Sequence, residues 1–190
     1  MFLHDLTEQI PKNVYVTFEQ PPKPRSSSSL VQENIDKAFN RPPRKTIKTA
    51  EYGNYKITLL NRKYTNNRGL TTVTDENNVE LQVTNLDRTL IDIAVRPFYS
   101  GGVLEVLKAY QRAKDKLSVN TINAYLKKIN YLYPYHQAIG FYLERAGVSE
   151  KYLRHLYKDI NFDFYLTYQI KEPLYSKKWR LYYPKYLDDF

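Results

Sequence analysis

VTNLDRTLIDIAVRPFYSGG, residues 83–102, decides how the rest of the chain is read. Leu86, Leu90, Ile91, Ile93, Ala94 and Val95 cover most of a helical circumference, the mark of a helix buried among others. The same stretch nevertheless carries Asp87, Arg88, Asp92 and Arg96. With Thr84 as N-cap, Asp87 takes the N3 place of a capping box, where backbone N–H groups and the positive helix end suit its carboxylate. Arg88, Asp92 and Arg96 recur at i, i+4 and i+8, a ladder along one edge. Pro97 ends the helix. Structural roles thus account for all four charges. Asp87 and Asp92 fall on different sides of the helix, which argues against a paired-carboxylate site.

Downstream the pattern stays helical. Ser100 is placed to cap a helix over residues 101–116, with Val103, Val106, Leu107, Tyr110, Ala113 and Leu117 in one arc. Ser118 caps the next, where Val119, Ile122, Tyr125, Leu126 and Ile129 share a face. Pro134 opens a third, and Gly147 suits its C′ position. Ser149 caps a fourth, with Tyr152, Leu153, Leu156 and Tyr157 inward. Short helices with one apolar stripe each pack as a layer. Phe162, Phe164, Leu166, Tyr168 and Ile170 then alternate with polar neighbours, as does WRLYY at 179–183. These read as two antiparallel strands joined by an EPLYSKK loop.

Upstream the chain is richer in strands and loops. VYVTF (14–18), YKITLL (55–60), LTTVT (70–74) and VELQV (79–83) read as strands. DENN (75–78) supplies the turn of a hairpin between the last two, with Val79, Leu81 and Val83 on one face. EQPPKPRSSSSL (19–30) is too rich in breakers to be regular, and residues 30–39 suit a helix. The expected fold class is α+β: small, mostly antiparallel sheets packed with a layer of four to five short helices, and a C-terminal β-hairpin. One domain is expected over residues 1–190, with a strand- and loop-rich part (1–83), a helical part (84–158) and a C-terminal strand pair (159–190).

The net charge of +9 favours an anionic partner, DNA or RNA first among them. The absence of cysteine removes disulfides, thiolate metal sites and thiol nucleophiles. Neither a signal peptide nor a membrane-spanning run is legible, so a soluble, cytoplasmic protein with no membrane partner is expected. Nineteen tyrosines point to half-buried sheets or a broad contact surface.

TNLDRTLIDIAVRP (84–97), followed by SGGVLEVLKAY (100–110), resembles the C-terminal domain of the AbiEi family of bacterial antitoxins. That family carries a Glu/Asp-Arg-Thr-Leu-hydrophobic-Asp run, then a proline, then a Gly-containing helix start. LHDLTEQIPKNVYVTF (3–18) is similar to the family's segment just after its DNA-binding domain, and YPYHQAIGFYLERAG (133–147) fits its later helix. The resemblance implies the antitoxin of a type IV, AbiE-like phage-defence pair, countering a nucleotidyltransferase-like toxin, AbiEii. It also implies a winged helix-turn-helix that represses the operon's own promoter. No counterpart of that module is legible in these residues, which leaves the antitoxin role as the expectation and a DNA-binding autoregulator as the alternative. Thr84, Asp87, Arg88, Asp92 and Arg96 are the family motif, with mainly structural roles.

Candidate contact residues lie elsewhere. PPKPR (21–25), RPPRKTIK (41–48) and NRKYTNNR (61–68) mix bases with loop residues that could follow a phosphate chain or an acidic toxin surface. Their bases include Arg41, Arg44, Lys45, Lys48, Arg62, Lys63 and Arg68. Lys108, Arg112 and Lys116 repeat at i, i+4 and i+8, a repulsive ridge that an anion would relieve and that Glu105 and Asp115 partly offset. His4, His136 and His155 are too scattered for a metal site, and His136 reads as a satisfied border residue. No phosphate-cradling glycine loop and no nucleophile elbow occur. No catalytic residue, metal or cofactor is expected. Residues 118–130 and 134–147 imitate a helix-turn-helix, but Arg145 is the only base on the second helix. An enzyme of nucleic-acid processing would need Asp87, Asp92 or Asp163 gathered around a metal.

Overall fold

The computed structural model describes residues 1–22, 29–75 and 77–190. The middle of the Pro/Ser-rich loop, most of PPKPR and Glu76 of the DENN turn lie outside the described residues.

β1 (Asn13–Glu19) and β3 (Tyr55–Arg62) pair in parallel, and β2 (Thr49–Tyr52) pairs antiparallel with β3, in the order β1-β3-β2. β2 was not expected from the sequence. Its signal is Gly53-Asn54 between TAEY and YKIT, with Gly53 at φ +56°, the left-handed conformation that a tight hairpin turn demands. A parallel pair needs a long crossover, and residues 20–48 supply it. α1 (Gln32–Phe39) lies within that crossover.

α1 packs on the C-terminal sheet. Phe39 stacks on Tyr165 and Tyr168 and meets Phe164 edge-on. The Gln32 amide exchanges two hydrogen bonds with the backbone of Asp163, as a neighbouring strand would. The sequence-defined parts are therefore interleaved in space.

β4 (Leu70–Thr74) and β5 (Glu80–Thr84) form the expected antiparallel hairpin. Its supposed core face is largely open, since Val79 and Leu81 are exposed.

α2 (Leu86–Val95) is the centre of the helical layer and packs against α3 (Val103–Ala113), α4 (Val119–Ile129) and α5 (Tyr135–Arg145). Leu90 and Ile91 are wholly buried there, and the Tyr110 hydroxyl donates to the Leu90 carbonyl at 3.0 Å. Ser118 caps α4 as expected, accepting from the Thr121 N–H. Ser100 does not cap α3. Gly102 stands at that N-cap with φ +95°, and the helix stops at Ala113 rather than at residue 116. Gly147 occupies the position after the C-cap of α5, with φ +81°. α6 (Glu150–Leu153) continues into a 3-10 turn, and Tyr152, expected inward, is exposed.

The C-terminal sheet departs from expectation. Only Phe164–Tyr165 of residues 162–170 forms a strand, β6, and it pairs in parallel with β8 (Leu181–Pro184). The presumed loop contributes β7 (Pro173–Ser176), the antiparallel partner of β8. Gln169 and Glu172 both take positive φ, so the chain turns back before the alternating pattern is used up. The class remains α+β with a C-terminal hairpin, built from β7 and β8. Among the described residues no helix is long and apolar enough to cross a membrane.

Candidate functional site

α2 begins one residue later than its sequence suggests. Thr84 is still paired with Leu70 in the β4–β5 ladder, so its backbone is committed to the strand. Asn85 is the N-cap instead, and its side chain accepts from the Arg88 N–H at 3.0 Å. The Asn85 amide also donates to the Tyr125 hydroxyl at 2.9 Å. Asp87 consequently has no capping-box role. It accepts from the Ser118 N–H at 2.8 Å and so joins the start of α2 to the start of α4. Burial raises the Asp87 carboxyl above the ordinary aspartate range, and the Ser118 bond only partly offsets this.

Arg88 is wholly buried. Its Nε donates to Asp92 at 2.9 Å, and its Nη1 donates to the Arg68 carbonyl at 3.0 Å and to the Thr65 hydroxyl at 3.3 Å. The loop that supplies those acceptors closes on the arginine. A Cβ on Gly69, where φ is +76°, would lie 2.7 Å from Arg88 Cβ. Arg96 takes non-helical angles ahead of Pro97 and donates to the Asn61 carbonyl at 2.7 Å. The expected ladder is thus one ion pair, Arg88–Asp92, followed by a clasp from the end of α2 to β3.

Arg62, read from the sequence as a surface contact, is buried. It faces inward from β3 and pairs with Glu19 at 3.2 Å. Burial by itself raises the Glu19 carboxyl. The Thr65 hydroxyl, the Asn67 and Thr65 backbone and the Arg62 guanidinium nevertheless hold it below the ordinary glutamate range. Glu19, Thr65, Asn85 and Gly69 are the residues that sequence reasoning missed here. Only Asn85, a strong cap former beside the first helical residue, left a local signal.

The remaining predicted contacts divide into two groups. Arg41, Arg44, Lys45 and Lys48 are exposed along one segment, which the Thr46 N–H pins to the Tyr99 hydroxyl at 2.8 Å. Arg68 and Lys63 are also exposed, and Lys63 donates to the Asn130 carbonyl. The Lys108/Arg112/Lys116 ridge is less cationic than its sequence implies. Lys108 pairs with Glu105 at 3.1 Å and Arg112 with Glu8 at 2.6 Å.

An open cleft of about 310 Å³ lies between the end of α4 and the start of α5, walled by Tyr131, Tyr133 and Tyr135 with Asn123, Lys127 and His136. His136, expected to be satisfied, is so in part: its ring bonds the backbone of Asp159, and Nε2 is buried with no partner among the described residues. Burial lowers its pKa, against the opposing influence of Asp159.

Among the described residues no group of three or more His, Cys, Asp or Glu could hold a metal ion. Asp163 is committed to Arg180 and Tyr175, well apart in the fold from the partners of Asp87 and Asp92. No family model matches the chain, and no curated protein matches it. The geometry therefore stands on its own: a caged arginine at the centre, and basic side chains along the 41–48 segment.

Proposed function

We propose that this chain is a non-catalytic antitoxin domain of the AbiEi kind, which neutralises a nucleotidyltransferase-type toxin through its surface. One observation carries the reading, the disposition of charge around residues 84–97. Asp87, Arg88 and Arg96 each bond neighbouring backbone and Arg88 also holds Asp92, with Arg88 Nη2 buried and without a partner among the described residues. The motif that carries the family resemblance thus serves as a scaffold. Arg41, Arg44, Lys45 and Lys48 meanwhile stand exposed on a chain of net charge +9. A rigid body presenting bases suits an anionic partner, an acidic toxin face or the nucleic acid that a nucleotidyltransferase handles.

Co-expression with the toxin encoded beside it is the test. Growth is restored by the wild-type chain and lost with Arg44→Glu, Lys45→Glu and Lys48→Glu combined, while the unfolding midpoint stays within error. A verified toxin whose effect the wild-type chain leaves untouched would overturn the antitoxin reading.

A further inference from the structure

We propose that β1 is a self-pairing edge, through which two copies of this chain join antiparallel into one continuous sheet. The hydrogen bonds of β1 assign its two edges. Lys12 C=O accepts from Lys56 N–H at one end, and Gln20 N–H donates to Arg62 C=O at the other. Parallel pairing alternates, so the even-numbered residues between them address β3. Asn13, Tyr15, Thr17 and Glu19 therefore turn their backbone N–H and C=O groups away from the sheet. Among the described residues no hydrogen bond occupies those outward groups.

Native proteins guard such an edge with Lys, Pro, a bulge or a covering element. β1 runs for seven residues, NVYVTFE, with no proline and no lysine. The opposite edge, β2, is four residues long and carries Glu51.

The side chains are as open as the backbone. Val14, Val16 and Phe18 share one face and are 42, 46 and 42% exposed, beside half-buried Ile57 and Leu59 of β3.

The strand is complementary to itself in one register. Pairing its whole length antiparallel places Val16 opposite Val16 of the second copy. Tyr15 then faces Thr17, and Asn13 faces Glu19. These are the residues with outward backbone groups, so each pair exchanges both N–H···O bonds. Between them fall the close non-hydrogen-bonded pairs, Val14 with Phe18 and Val16 with itself. An aromatic residue against a β-branched one is a favourable cross-strand pair. Charge agrees: the chain is strongly basic, yet nothing from Asn13 to Phe18 is charged, and Glu19 keeps its own Arg62. No like charges meet, and the two apolar faces become one. The contact is isologous, so it closes at two copies.

Sedimentation velocity over a concentration series tests the pairing. The wild-type chain runs at twice the monomer mass. Val16→Lys and Val16→Glu, each placing like charges across the axis, run as folded monomers, and their equimolar mixture recovers the dimer. The register has its own test because the chain has no cysteine. The close pair at position 16 brings Cα atoms to about 4.5 Å, within disulfide reach. Oxidised Val16→Cys therefore crosslinks, and Thr17→Cys, which faces Tyr15 of the second copy, does not. A wild-type monomer at every concentration overturns the proposal. So does a Val16→Lys variant that dimerises like wild type, or crosslinking at 17 as fast as at 16.

Discussion

Replacing Gly140 by alanine is the sharpest test of the packing. In an exposed helix interior this change stabilises by about 1 kcal/mol, because alanine is the better helix former. Gly140 sits in the middle of α5 under the fully buried ring of Trp179. A Cβ built there would lie 2.1 Å from Cζ3, 2.2 Å from Cη2 and 2.8 Å from Cε3 of that ring. The ring has little freedom to retreat. Its Nε1 donates to Glu144 at 2.7 Å, and Tyr157 stacks on it at 4.5 Å between centroids. The carbonyl of Trp179 is also held by the Gln137 amide at 2.7 Å.

Such a contact belongs at the top of the overpacking range, about 3 kcal/mol. Subtracting the helix-propensity gain of about 1 kcal/mol leaves a net loss of about 2 kcal/mol. For a chain of this size that lowers Tm by roughly 4–8 °C. Circular dichroism melts give the midpoint, and the fluorescence of the single tryptophan reports the site itself. The penalty should fall below about 1 kcal/mol in a Trp179→Phe background, because the two positions touch. A Gly140→Ala protein that melts at or above wild type would refute the reasoning.

Three further outcomes concern the start of α2, its buried arginine and the Glu19–Arg62 pair of β1 and β3. Asn85→Ala should cost about 1 kcal/mol by urea unfolding, the worth of a lost cap, and Thr84→Ala should cost less; the reverse order would restore Thr84 as the cap. Arg88→Ala should cost about 3 kcal/mol, since it removes the wholly buried partner of a half-buried Asp92 and empties the space under the 65–69 loop; a stability within ~0.5 kcal/mol of wild type, the scale of surface substitutions, would sink the caged-arginine account. Glu19 titrates below its unfolded value of about 4.3, so its stabilisation is complete above that pH and is lost as pH falls through the folded value. The stability gap between wild type and Glu19→Gln should accordingly shrink below about pH 4.3, and a gap that widens there has the wrong sign.

Local sequence located most elements and missed the contacts between them. Ser118, Pro134 and Gly147 were readable as helix boundaries because capping chemistry is confined to a few neighbouring residues. Thr84 misled because the residue that ends a strand and the residue that caps a helix have the same composition. Only its pairing with Leu70 settles which it is. The alternation from Phe162 to Ile170 misled for a related reason. Period-two polarity states which side chains point inward, not whether a partner strand lies alongside. The exposure of the candidate contact residues was half legible. Charge and exposure agree at Arg41, Arg44, Lys45 and Lys48, whereas Arg62 is drawn inward by Glu19, distant in sequence.

What the sequence determined by itself is what short-range physics controls: the α+β class, the helical layer, the β4–β5 hairpin and a strongly basic balance of charge. Tertiary structure alone decided the rest. It set Arg88 against the Arg68 carbonyl and the Thr65 hydroxyl of one loop, gave Gly140 to the ring of Trp179, packed α1 on a sheet more than a hundred residues downstream and placed β1 at the edge of its sheet. Each of these depends on a group distant along the chain, and burial, pairing and steric contact are properties of where that group comes to rest.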